Sequence, residues 1–244
     1  MKKKLVRTIR TAVIALVILA IVSVVGVALL ANTAVKTSVE KAGVKTLNVP
    51  VQVQKASVSL LRGSAILQTI AVANPEGYQG PSLLTLQTVD VSADAGSLLR
   101  SEILIHDMQL KGMEVFVEQD GLKNNLYEVI EPLRRPHEPT GKALVIDRLT
   151  IEDIIVHVAL PSLPGQSQAQ TMDLKVAPIT MTDLGRNERM DTTLLIGKVV
   201  LAVAAGVADQ GGGILPKETL SGITGVLDKA IDIGRILFGG KKDQ

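Results

Sequence analysis

Residues 103–118, ILIHDMQLKGMEVFVE, and residues 144–159, LVIDRLTIEDIIVHVA, share one apolar–polar pattern at thirteen of sixteen positions. The mismatches are Glu114/Ile155, Phe116/His157 and Glu118/Ala159. Both runs alternate with the period of a strand that buries one face. A shorter theme, apolar-x-x-apolar-x-apolar, recurs as LQTIAV (67–72), LQTVDV (86–91), IHDMQL (105–110), IDRLTI (146–151) and VAPITM (176–181). Two successive polar residues shift the alternation by one. A β-bulge at each would restore the buried face, and a repeated bulge would curl the sheet.

Working outward, VPVQVQKASVSLL from Val49 reads as a first strand, broken at Arg62-Gly63-Ser64. AILQTIAVANPEGY is a second, ending in an Asn-Pro-Glu-Gly turn. There Pro75 sets φ and Gly77 accepts a positive one. SLLTLQTVDVSADA is a third strand, closed by Gly96. SLLRSEILIHDMQL leads into a fourth, Lys111-Gly112 reads as a tight turn, and MEVFVEQDG is a fifth. Asn124 or Asn125 caps a short helix that Pro132 ends. LRRPHEPTGK (133–142) is an exposed loop, followed by strands ALVIDRLTI, DIIVHVAL and TMDLKVAPITM. From Asp191 the pattern is helical. Leu194–Ala208 is short for a membrane span and suits a helix packed on the sheet. A second, amphipathic helix opens at Pro216.

Ahead of all this stands AVIALVILAIVSVVGVALLA, residues 12–31, without one charge. As a helix it is about 30 Å long, the thickness of a bilayer's hydrocarbon core. Ala12, Leu16, Leu19, Val22, Val25 and Leu29 would face lipid. The tail before it carries Lys2, Lys3, Lys4, Arg7 and Arg10 and no acid. Positive residues stay on the cytoplasmic side, so the bulk of the chain is expected on the other side. A cleaved signal peptide has a shorter apolar region and a small-x-small site, which this run lacks. The expected layout is a basic tail (1–11), an anchor (12–31), a solvated helical stalk (32–48) stopped at Gly43, a sheet domain (49–183) and a helical segment (184–244).

Composition narrows function. There is no cysteine, hence neither disulfide framework nor lipoprotein cysteine. Without the five tail cations the chain has 21 basic against 24 acidic residues, so no basic field invites nucleic acid. Two Tyr, two Phe and no Trp make poor stacking platforms. His106, His137 and His157 show no metal-ligand spacing, no H-E-x-x-H or G-x-S-x-G occurs, and Asp90, Asp94 and Asp107 are scattered. No catalysis, cofactor or metal is expected.

Residues 51–130 resemble the amino-terminal region of the AsmA-like family. The resemblance is carried by VSLLRGSAILQTIAVANPEGYQGPSLLTLQTVDVSADAGSLL and EILIHDMQLKGMEVFVEQDGLKNNLYEVI behind a basic tail and single span, and more loosely by residues 143–159. Within these lie the Asn-Pro-Glu-Gly-Tyr turn, the Ser-Leu-Leu before the next strand and a Gly-x-x-x-Asn-Leu-x-x-x-Ile run. Members of that family resemble bridge-like lipid-transfer proteins. The resemblance implies an inner-membrane anchor and a periplasmic sheet curled into an apolar groove, associated with phospholipid traffic and outer-membrane integrity. The expected fold is therefore α+β: a curled, mostly antiparallel β-sheet or groove, one amino-terminal transmembrane helix and a carboxy-terminal helical pair. Its acyl-chain strip would be Ile103, Ile105, Met113, Val115, Leu144, Ile146, Ile154, Val156 and Val158. About eight strands at ~4.8 Å make a sheet roughly 40 Å long, too short to bridge an envelope alone. Self-association or envelope-protein partners are then expected besides the bilayer and phospholipid. A strand ending in Asn-Pro behind a single span also resembles the late-embryogenesis-abundant, water-stress β-sandwich, a structural or stress-protective scaffold whose two sheets would close over each other.

Overall fold

The computed structural model describes residues 30–80, 82–120, 123–134, 138–159 and 171–211. The tail, most of the anchor (12–29), His137, the Gly211–Gly213 joint beyond residue 211 and the helix expected from Pro216 lie outside these residues. The described chain is α+β, with three helices and an eight-stranded, mostly antiparallel open sheet. Helix α1 covers residues 30–47. Strands β1 (Val51–Ser59), β2 (Ser64–Val72), β3 (Leu84–Ala93) and β4 (Glu102–Asp120) form an antiparallel meander. The two-residue β5 (Lys123–Asn124) pairs back on β4, and helix α2 (Asn125–Ile130) starts the crossover. Strand β6 (Ala143–Ala159) then lies parallel to β4, and β7 (Thr171–Val176) and β8 (Ile179–Leu184) follow one another along its far edge. Helix α3 (Thr192–Gly211) ends the described chain.

The parallel register pairs Ile103 with Leu144 and continues to Glu118 with Ala159. That is the alignment of the internal repeat, residue for residue. The repeat arises because two neighbouring strands bury the same face and break their alternation at the same height.

Those breaks line up across the sheet. Pairing lapses at Gln54/Thr69, Thr69/Gln87, Gln87/Gly112 and Gly112/Asp153, with intact pairs on both sides. Thr69 on β2, Gly112 on β4 and Asp153 on β6 take φ of 50°, 69° and 54°. The register does not change across this row, so no bulge residue is inserted. Each doublet (Gln68-Thr69, exposed; Lys111-Gly112, half-buried; Glu152-Asp153, half-buried and exposed) is flanked by buried apolar residues on both sides. The expected bulges are thus replaced here by left-handed residues in phase from strand to strand. A second row runs through His106-Asp107, Asp147-Arg148 and Asp183, and ends at the register shift between Ser92 and Ala93.

Several expectations are corrected. Lys111-Gly112 is not a turn: β4 passes through it as one strand of 19 residues. ALVIDRLTI and DIIVHVAL are likewise one strand, β6, while TMDLKVAPITM splits into β7 and β8 at Ala177-Pro178. Pro178 has no N–H for the ladder. The described strands form one sheet, which overturns the β-sandwich. The sheet is six strands across, β1-β2-β3-β4-β6-β7, or about 29 Å at ~4.8 Å per strand, not 40 Å.

Nor is residues 32–48 a solvated stalk. Val35 and Val39 pack on the core, and Gly43 lets the helix close on β1, where an added Cβ would lie 2.8 Å from Val51 Cγ2. The helix ends instead at Asn48, left-handed at φ 58°, whose N–H donates to Val44 O. Along the free edge of the sheet, Val53 N–H donates to Glu40 Oε1 (2.9 Å) and Val58 N–H to Asn32 Oδ1 (2.7 Å). Helix α1 thereby covers an edge strand that would otherwise pair with other chains.

Candidate functional site

The nine expected strip residues come together. Ile103, Ile105, Met113 and Val115 of β4 sit opposite Leu144, Ile146, Ile154 and Val156 of β6, and Val158 opposite Val117. Eight of them are buried; Ile103 is partly so. Val115, Ile146, Ile154, Val156 and Val158 have no exposed surface at all. The strip is one continuous apolar surface, and here it is core. Between Val115, α2 and α3 remains a cavity of about 20 Å³, lined by Val72, Leu126, Val129, Val200 and Val203 among others. It has room for about one water and no polar group to hold it.

Helix α3 is the cover. Asp191, itself buried, caps it through Leu194 N–H (2.9 Å) and is pinned by Thr140 N–H (2.9 Å). Leu195, Val200, Val203, Ala204 and Val207 face the core. Ile196 and Val199 flank that face, and the outer face carries Leu194, Leu201, Ala202 and Ala205, partly buried or exposed. Lys198, held to Glu188 at 2.9 Å, is the helix's single charge before Asp209. As expected, this helix packs on the sheet, but at 20 residues it is longer than Leu194–Ala208 and, by length and composition, apolar enough to cross a membrane, with a third of its residues buried in the domain.

A polar hub lies where the second and fourth strands' far ends meet α2. Asn125, fully buried, donates to Asn74 Oδ1 and Phe116 O (both 2.7 Å). Its Oδ1 accepts from Glu118 N–H and Leu126 N–H (both 2.9 Å). Asn74 Nδ2 donates onward to Gly80 O (2.9 Å) and Glu118 Oε1 (2.8 Å). The Glu118 carboxylate also accepts from Gly80 N–H (2.7 Å) and Gln79 N–H (2.8 Å). Asn124 caps α2 by accepting from Tyr127 N–H at 2.7 Å. Two motifs distant in sequence, Asn-Pro-Glu-Gly-Tyr and Gly-x-x-x-Asn-Leu, are thus joined by one amide–amide bond. Only their shared Asn content signalled this beforehand.

Beside the hub opens a cavity of about 500 Å³, bordered by Gln79, Gly80, Phe116, Glu118, His157 and Thr171 among others. His157 Nδ1 is 2.7 Å from Asp173 Oδ1, and its ring stacks on Phe116 at a centroid distance of 4.8 Å. Sequence reasoning missed both contacts, since Phe116/His157 is a mismatch of the repeat. On the outer face, Arg148 Nε donates to Asp107 Oδ1 (2.7 Å), and Asp147 meets His106 (3.1 Å) and Arg186. The hydrogen bond from Arg148 holds the Asp107 carboxyl below the usual range; His106, then Arg186, does so for Asp147. Among the described residues no group of three or more His, Cys, Asp or Glu side chains gathers to hold a metal.

No protein-family model, curated protein or solved structure matches this chain.

Proposed function

We propose that this chain is a membrane-anchored, non-catalytic envelope protein of AsmA-like type that binds or hands on phospholipid acyl chains. Its amino-terminal run would cross the inner membrane once, with the domain on the periplasmic side. The observation that carries the reading is the paired strip of β4 and β6 in one core with a helix that is apolar nearly all round. Such a helix can exchange one apolar neighbour for another at little cost, because each buried CH₂ is worth about 0.8 kcal/mol whether helix or acyl chain covers it. Helix α3 acts as the cover, pinned at Asp191 and leaving the sheet from its distal end. The two aligned rows of irregular residues support a sheet curled around that strip.

The cover can be locked. An added Cβ at Gly206 would lie 3.0 Å from Val176 Cγ1, about the distance from a Cβ to the far sulfur of a disulfide. The Val176→Cys, Gly206→Cys chain, expressed in its membrane with a photoactivatable phospholipid, is expected to crosslink within residues 103–118 and 144–159 when reduced and to lose those crosslinks when oxidised. Crosslinks confined to residues 12–31 in both states refute the proposal. That result favours an interaction scaffold at the membrane, the reading consistent with a strip buried in the core.

A further inference from the structure

The tetrapeptide Ser-Leu-Leu-Arg occurs twice, at residues 59–62 and 97–100. The first copy is the β1–β2 turn, closed by Arg62 N–H to Ser59 O (3.2 Å). The second is the short 3₁₀ turn after β3, closed by Arg100 N–H to Ser97 O (2.9 Å). The two turns are neighbours at one end of the sheet, joined by Ala93 N–H to Gly63 O (2.6 Å). Gly63 permits that approach: it sits at φ 62°, and a Cβ there would meet Ala93 O at 2.0 Å. Both turns present the same residue to solvent, Leu61 at 91% exposure and Leu99 at 90%. Leu60 is also exposed, and each pair is followed by an exposed arginine, Arg62 and Arg100.

Leu30 marks which way this end faces. It is 73% exposed and opens the described part of α1, two residues before Asn32 bonds Val58 beside the first turn. It belongs to the uncharged run 12–31, most of which precedes it. Helix α1 is docked along β1, so a membrane spanned by that run would lie against the end that carries both turns.

We infer that the two Ser-Leu-Leu-Arg turns form a bilayer-contacting foot, with Leu61 and Leu99 entering the interfacial region and Arg62 and Arg100 at the phosphates. Amphipathic tips of this kind bind by apolar insertion together with attraction to anionic headgroups. The foot sets the domain's height and tilt and presents the strip's β4–β6 start to the bilayer. This inference rests on the anchor reading above.

The chain has no cysteine, so single labels are clean. Full-length Leu61→Cys, Leu99→Cys and Glu76→Cys, the last in the loop at the opposite end, carry an environment-sensitive fluorophore. They are reconstituted into phosphatidylcholine–phosphatidylglycerol vesicles containing spin-labelled lipid. Labels at 61 and 99 are expected to shift to the blue and to be quenched several-fold more than the label at 76. Equal, water-like emission at all three sites in an alkali-resistant, integrated chain overturns the foot and leaves the anchor standing. Release of the chain by alkali overturns both. Disulfide-linked dimers through 61 or 99 without lipid quenching assign the surface to a second copy and also overturn it.

Discussion

Replacing Asn125 by Ala tests the logic of the fold most directly. The side chain is fully buried and makes four hydrogen bonds, to Glu118 N–H, Leu126 N–H, Phe116 O and Asn74 Oδ1. Asn74 keeps its bonds to Gly80 and Glu118, so its loss is small. The three backbone groups have no substitute, and each costs about 1–1.5 kcal/mol when left unpaired, less where the adjoining cavity admits water. The expected loss is about 3–4 kcal/mol, near the upper end for one substitution. With a urea slope of about 2 kcal/mol per M, the unfolding midpoint of the full chain in mild detergent falls by about 1.5–2 M. The companion Asn124→Ala removes the cap on Tyr127 and costs about 1 kcal/mol, or roughly 0.5 M. Amide exchange at Val129 and Ile130, which α2 buries, accelerates with the first variant. If Asn125→Ala moves the midpoint no further than Asn124→Ala, the hub does not hold α2 to the sheet.

Two further outcomes follow from the row of left-handed residues and from the outer face. Gly112→Ala lowers stability by about 1–2 kcal/mol, because an L residue pays that at positive φ and its Cβ would lie 2.5 Å from Gln87 Cδ. Thr69→Gly, on the same row, raises stability by about 0.5–1 kcal/mol as β-branched strain is relieved against glycine's larger entropy loss; urea midpoints moving in the same direction refute the row's role. The lowered pKa of Asp107 means its bond to Arg148 stabilises the fold above the ordinary carboxylate value and ceases to do so as pH falls through the lowered one. Arg148→Gln is therefore expected to cost under about 1 kcal/mol at neutral pH and nothing in acid, because the pair is solvent-exposed; an equal cost at both pH values contradicts this.

Much of the architecture is legible in local pattern. Alternation located β1, β2 and β3, the Asn cap located α2, and the apolar run from Leu194 located α3. Lys111-Gly112 misled because glycine at positive φ marks a turn when isolated, whereas here its neighbours on β3 and β6 break alternation at the same height and carry the strand through. Gly43 misled for a similar reason, reading as a stop where it serves close helix–strand contact. The His157–Asp173 pair, the Phe116 stack and the Asn74–Asn125 bond left almost no trace, since each joins residues from separate elements.

By itself the sequence determined the strand periods, the doublets that interrupt them and the offset between residues 103–118 and 144–159, because burying one face of a pleated strand forces its pattern into every residue. It also named the residues of the apolar strip. What covers that strip was decided only by the tertiary structure. Helix α3, capped and pinned through Asp191, lies over it, and α1 runs along the free edge. An apolar residue carries the same hydrophobic driving force toward a helix as toward an acyl chain, so its identity alone does not choose between them.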